Sequence, residues 1–193
     1  MRVIAGQYRS RPLRSLPGAE VRPTADRLRE TLFNVLCAGD PAKLAETVWL
    51  DLYAGTGAVG IEALSRGARM VYFVEQSKAA AELIAANLKS LGIAGGFRMV
   101  KSDVQKGLRQ LEASGSVADF MFLDPPYSLQ EEYAKTLAAL APSKLLGERS
   151  VVIAEHQKRF DPGEAFGELR RYRTLTQGDA ALSFYRRLVT QSS

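Results

Sequence analysis

Beyond residue 45 the chain alternates short apolar runs with segments whose apolar residues recur every three or four positions. The runs are Val48–Tyr53, Met70–Val74, Phe97–Val100, Phe120–Leu123 and Val151–Ala154. Each is short and bounded by glycine, proline or polar residues, as expected of strands buried on both faces. Between them the spacing predicts helices over about 58–66, 77–91, 104–113 and 129–141. The second places Ala80, Leu83, Ile84, Leu88 and Leu91 on one stripe, and the last opens with Ser128 and Glu131 as a capping box. Strands alternating with amphipathic helices predict a parallel sheet with right-handed crossovers. After Ala154 the rhythm changes. Leu169–Thr176 and Ala181–Leu188 flank Gly178-Asp179 and predict a hairpin that ends the sheet antiparallel. The expected fold is therefore α/β, a Rossmann-like sandwich around a seven-stranded, mostly parallel sheet.

The first forty residues follow another pattern. Val3 through Leu13 reads as short strands in a hairpin, broken by Gly6, Pro12 and Pro17-Gly18. Thr24, after Pro23, predicts a helix cap, with Leu28, Leu32, Val35 and Leu36 on one face and Gly39-Asp40-Pro41 as the stop. Residues 1–23 are thus expected to form a basic hairpin extension and residues 24–193 the main domain. No internal repeat interrupts either part.

A length of 193 residues suits one domain, and 46% hydrophobic with 24% charged residues is ordinary for a globular chain. No apolar stretch is long enough to span a bilayer, and the amino terminus lacks a signal-peptide core. One cysteine, Cys37, and one histidine, His156, exclude an intramolecular disulfide and a Cys/His metal cluster. A monomer in a reducing cytoplasm, without a metal, is the expectation. Cys37, Trp49 and His156 read as packing residues, although His156 follows a strand end and could approach a crevice there.

Charge is uneven. Residues 1–30 hold seven arginines, no lysine and three acids, whereas residues 31–156 hold twelve basic and fourteen acidic residues. Residues 157–193 are basic again, seven against four. An acidic middle between basic ends suits an enzyme core with hands for a polyanion, and the guanidinium fork suits phosphate. Arg9, Arg11, Arg22 and Arg29 are the candidate nucleic-acid contacts, with Arg29 alternatively pairing with a neighbouring carboxylate.

Candidate chemistry sits at the strand ends. Gly55-Thr56-Gly57-Ala58-Val59-Gly60 satisfies G-x-G-x-x-G between a strand and a helix, which signals a nucleotide cofactor without distinguishing among them. Glu75 ends the second strand, where an acid can accept ribose hydroxyls. Asp51 lies beneath the glycines, where a carboxylate suits a ligand bearing an ammonium and a sulfonium and would repel a pyrophosphate. Asp103 ends the third strand and could take an adenine amino group or cap the following helix. Asp124-Pro125-Pro126-Tyr127 ends the fourth. Two prolines stop a strand and stiffen its exit, fixing a carboxylate, a free carbonyl and an aromatic face side by side. Such a loop can accept both N–H groups of a flat exocyclic amine while Tyr127 stacks on the ring.

These motifs together resemble the class I S-adenosylmethionine-dependent methyltransferases. More closely, the chain resembles the RsmD-type 16S rRNA guanine-N2 methyltransferases. The specific part is Arg22-Pro23-Thr24 through Arg29-Glu30-Thr31-Leu32-Phe33-Asn34, supported by Met1 to Gly6, Asp51 to Gly60, Glu62 to Ala68 and Asp124 to Tyr127. The resemblance implies S-adenosyl-L-methionine held by Asp51, Tyr53, Ala54, Gly55, Thr56, Gly57, Glu75, Gln76, Asp103 and Val104. It also implies catalysis by Asp124, Pro125, Pro126 and Tyr127 on 16S rRNA in the small ribosomal subunit or its assembly intermediate. Gln76-Ser77 stands where many members carry a second acid, and Tyr127 where some carry phenylalanine. Alternatives left open by the loop chemistry are adenine N6 of DNA or RNA and the glutamine side chain. An NAD-linked oxidoreductase leaves Asp51 and Asp124 without purpose, and a non-catalytic RNA-binding module leaves the glycine loop unexplained.

Overall fold

The computed structural model describes residues 1–15 and 23–188, with only the backbone of 23–25. Helix α1 (Pro23–Cys37) is followed by a single 3-10 turn and then by regular alternation. Strand β1 (Val48–Leu52), α2 (Ala58–Ser65), β2 (Met70–Val74), α3 (Lys78–Leu91) and β3 (Phe97–Val100) build one half. The second half is α4 (Val104–Ala113), β4 (Ala118–Leu123), α5 (Glu131–Leu140) and β5 (Leu146–Gln157), ending in β6 (Ala165–Phe166), β7 (Leu169–Gln177) and β8 (Ala180–Arg187). The sheet order is β3-β2-β1-β4-β5-β8-β7-β6. The first five strands pair in parallel and the last three antiparallel. The eighth strand, β6, was not legible in the sequence because two residues carry no periodicity.

Apolar side chains fill both faces of the sheet. Trp49, Phe73, Phe122, Ile153 and Phe184 meet Leu32, Phe33, Ile61, Ile84 and Leu88 on the side of α1, α2 and α3. Leu50, Leu52, Met121, Leu123 and Val152 meet Leu108, Leu111, Leu137 and Leu140 of α4 and α5 on the other. This burial of every β1 side chain accounts for its apolar run, in which Asp51 is the one charged residue. Trp49 lies between Phe33 and Phe120, with ring centroids 5.2 and 4.7 Å away, so it is a core residue. No helix among the described residues is long and apolar enough to cross a membrane.

Three local expectations need correction. Thr24 lies inside the first turn of α1, which opens at Pro23. Ser128 does not cap α5: the chain is still turning there, with the Leu129 amide on the Pro126 carbonyl at 2.8 Å, and Gln130 precedes the helix without a side-chain cap. The N-terminal strands reduce to one antiparallel bridge, Arg2 with Pro12. The hairpin itself is present, with the Val3 and Leu13 amides on the Arg11 and Met1 carbonyls, but several amides between them turn to α2. Ile4 and Ala5 donate to the Glu62 carboxylate at 2.7 and 3.0 Å, Gln7 to the Ser65 carbonyl and Tyr8 to the Ser65 hydroxyl. Gly6 permits this approach, because a Cβ there would lie 1.9 Å from the Ser65 carbonyl oxygen.

Glu62 is fully buried and also accepts from Arg66 Nε at 2.8 Å. Arg29 Nε stands 3.9 Å from its other oxygen. Removing this carboxylate would strand two amides and a guanidinium in the interior. Glu62→Ala is therefore expected to cost about 3–5 kcal/mol, read as a lower urea midpoint at unchanged m-value.

Candidate active site

Chain direction reverses across β1 and β4. The path from β1 leads to β2 on one side, and that from β4 leads to β5 on the other. Loops leaving the two strands diverge, which is where an open α/β sheet binds ligands. A cavity of about 740 Å³ occupies this crevice. On its wall lie Tyr53, Gly55, Glu75, Gln76, Asp103 and Val104 of the expected cofactor residues, together with all of Asp124, Pro125, Pro126 and Tyr127. Asp51, Ala54, Thr56 and Gly57 are not on that wall.

Glu75 is held in place by the backbone. Its Oε2 accepts from Gly55 N at 2.8 Å and its Oε1 from Ser77 N at 2.7 Å. Each oxygen retains a lone pair for a ligand hydroxyl. Asp103 lines the cavity and uses one oxygen to cap α4 through Lys106 N at 2.9 Å, as its capping reading expects. Gly57 precedes α2 with φ of 74°, and Gly60 packs so tightly that a Cβ would meet the Phe73 ring at 2.3 Å. The glycine loop thus lies flat on β2.

Asp51 corrects the expectation of direct ligand contact. It is buried beneath the loop, and its Oδ2 accepts from Gly60 N at 2.9 Å. Burial first, then the charges of Asp124 and Glu75, push its carboxyl up to about 8, against the lowering effect of the Gly60 amide. Burial likewise pushes Asp124 up to about 7. The crevice is an acidic, poorly solvated place that favours a cationic guest.

Several wall residues were not singled out from sequence: Ser77, Ala80, Ser102, Gln105, Leu129, Glu132 and Lys135. Ser77 and Gln105 could have been found by adjacency to Gln76 and Val104. Glu132 and Lys135 could not, since their position depends on a long-range contact. Tyr53 leaves the β1 end with φ of 60° and sends its hydroxyl to Glu132 at 3.0 Å and Thr136 at 2.8 Å. Lys135 binds the other Glu132 oxygen at 2.8 Å. A left-handed tyrosine at a ligand site is a costly conformation held by its surroundings.

The arginines divide. Arg9 is exposed and lines a second cavity of about 470 Å³ with Arg2 and Arg27. Arg11 is exposed and donates to the Ser90 carbonyl at 3.0 Å. Arg22 lies outside the described residues. Arg29 is withdrawn from the candidate contacts: it is buried, donating to the Arg2 carbonyl at 2.5 Å and pairing with Asp26 at 3.0 Å. His156 is also internal, between Ser183 Oγ and the Gln157 carbonyl, each at 2.9 Å, and burial lowers its pKa.

The family described as conserved hypothetical protein 95 matches residues 1–186. The chain belongs to this family. The ribosomal RNA small subunit methyltransferase D of Escherichia coli strain K12 is 32% identical over 189 residues, covering 97% of this chain and 90% of that protein. The solved structure of yhhF from Escherichia coli superposes with a TM-score of 0.78 at 33% identity, covering 97% of each chain. SMU.776, solved with S-adenosylhomocysteine, shares the fold at a TM-score of 0.68 and 16% identity, covering 86% of this chain and 50% of that one. The fold is that of the class I methyltransferases. Like these relatives of 32 and 33% identity, the chain is a methyltransferase. The residues present fit S-adenosyl-L-methionine: an oriented Glu75 carboxylate, a flat glycine loop and a buried acidic crevice for a sulfonium and an ammonium.

Asp51 gives the stability a sign. Its folded pKa of about 8 exceeds the ordinary 3.8, so the folded state binds the proton more tightly than the unfolded chain. The resulting stability is complete below about pH 4 and is lost as pH rises towards about 8. Asp51→Asn keeps an acceptor for Gly60 and removes this titration. Thermal melts at pH 5 and pH 8 should show a smaller difference in Tm for the variant than for the wild type.

Proposed function

We propose that this protein methylates the exocyclic N2 of a guanine in 16S rRNA of the small ribosomal subunit. The observation that carries the reading is the Asp124–Tyr127 loop, on the same cavity wall as the Glu75 and Asp103 carboxylates. The RNA class and the subunit draw support from the name of the Escherichia coli relative, and guanine N2 from the resemblance to RsmD-type enzymes.

The assignment of roles follows from chemistry. Glu75 takes the ribose hydroxyls, Asp103 and Val104 the adenine, and Gly55 the close backbone approach. Asp51, Ala54, Thr56 and Gly57 shape the loop, and Gln76 borders it. The cofactor supplies a methyl group already activated by its sulfonium. What remains is to prepare a poor nucleophile, since the N2 lone pair is delocalised into the guanine ring. Asp124 and the Pro125 carbonyl each accept one amine N–H, which favours a pyramidal nitrogen and stabilises its developing positive charge. Pro126 stiffens the turn. Tyr127 stacks on the base once it leaves its helix and sets the line of attack. Bringing the two substrates into line contributes several kcal/mol more, on the order expected for a well-oriented pair. Arg9 and Arg11 contact phosphates, with Arg2 and Arg27 beside Arg9.

The deciding experiment supplies labelled S-adenosylmethionine to small subunits lacking the modification and analyses the nucleosides by mass spectrometry. N2-methylguanosine at one site is the expected product. Methyladenosine would overturn the base assignment, and no label in RNA would overturn the substrate class. Asp124→Ala should lower kcat about a hundredfold or more, with cofactor affinity by calorimetry little changed. RNA affinity should fall steeply as salt rises, and less steeply for Arg9→Ala.

A further inference from the structure

One acidic residue beside the site has no part in this mechanism. In the parallel ladder of β4 and β5, Leu123 pairs with Ala154, so Asp124, just past the end of β4, and Glu155, still within β5, follow as neighbours. Side chains alternate along a strand, which puts both on the face that carries Phe122 and Ile153. Adjacent strands lie about 4.8 Å apart. Two partly buried carboxyl groups on neighbouring strands and one face, the charge of Asp124 raising Glu155, cannot both ionise cheaply, and close pairs of this kind hold a proton between them.

The surroundings do not neutralise the pair. From α1, Arg29 lowers Glu155 by its charge, but its Nη2 donates to the Arg2 carbonyl and Asp26, and its Nε stands 3.9 Å from Glu62. From α5, Tyr133 donates its hydroxyl to the Glu155 backbone carbonyl at 2.7 Å, which fixes the strand end without touching the carboxyl. On β1, Asp51 lies on the far side of Asp124, is itself pushed up by burial, and brings no positive charge. On β8, the residue paired with Glu155 is Leu182, which is apolar. Burial and the charge of Asp124 hold Glu155 well above the usual carboxylate range, against the lowering effect of Arg29.

We propose that Asp124 and Glu155 form a carboxyl pair sharing one proton, with Glu155 its protonated member and a positioning residue for Asp124. The proposal rests on the methyl-transfer reading above. The Glu155 O–H donates to one Asp124 oxygen, which keeps Asp124 ionised and turns its other oxygen to the acceptor amine. When the amine nitrogen gains its methyl group it sheds one proton. That proton passes to Asp124, leaving both carboxyls protonated until one proton returns to water.

The test has a readout that needs no RNA. Infrared spectra at pH 7 should contain a protonated-carboxyl stretch that is lost in Glu155→Gln. Asp51 contributes a similar band to both proteins, so the difference spectrum isolates Glu155. With the substrate that the wild type methylates, kcat should form a bell against pH, needing Asp124 ionised and Glu155 protonated. Glu155→Ala should lower kcat about tenfold or more, with S-adenosylmethionine affinity unchanged. Glu155→Gln, which retains a neutral donor, should restore most of that loss and abolish the alkaline limb. The pair is overturned if the difference spectrum lacks the band, or if the alkaline limb survives in Glu155→Gln. It is equally overturned if Glu155→Ala turns over like the wild type. A wild type that methylates no RNA would overturn the proposed function instead, and the infrared result would still decide the carboxyl pair.

Discussion

The reversal of chain direction at β1 is the constraint from which the site follows. Because β2 and β3 lie to one side and β4 and β5 to the other, two loops must part above the sheet and leave a crevice. Parallel pairing then brings every one of these strands to an end on the same edge. Asp51 and Glu155 lie within β1 and β5, Glu75 and Asp124 just past β2 and β4, and registration places them on one face. No sequence-local rule groups them. Each stands at or near a strand end, and the sheet does the rest.

Packing explains why such an acidic cluster is tolerated. The Gly60 amide at the start of α2 reaches Asp51, and the Gly55 and Ser77 amides reach Glu75. Fixed backbone dipoles replace water around the two acids, at the cost of glycines that leave no room for side chains. The helix that supplies one of these dipoles is itself tied to the N-terminal segment through Glu62. Substrate-facing surface and cofactor loop thus share one rigid element.

Much of this was legible in the sequence, for identifiable reasons. The central parallel strands are mostly buried, so their runs are largely apolar, and the helices between them are strongly periodic. The glycine loop and the proline-stiffened exit are local motifs, and both reach the predicted crevice. What escaped depends on distant partners. Arg29 has the composition of a surface residue but lies against Glu62, thirty-three positions on. Asp51 turns into α2, and Tyr53, Glu132 and Thr136 meet only because α5 folds back over the end of β1. Ser128 and Glu131 matched a capping spacing that the preceding turn had already consumed.

The place of β8 carries a consequence for synthesis. Although it is the last strand in the order of the chain, it lies between β5 and β7, hydrogen-bonded to both. A nascent chain halted before residue 180 would present β5 as an open edge and leave β6 and β7 with nothing to join. The parallel half can form its ladders as it leaves the ribosome, but the sheet closes only once β8 has emerged. A product interrupted before that strand stays marked by an unpaired edge.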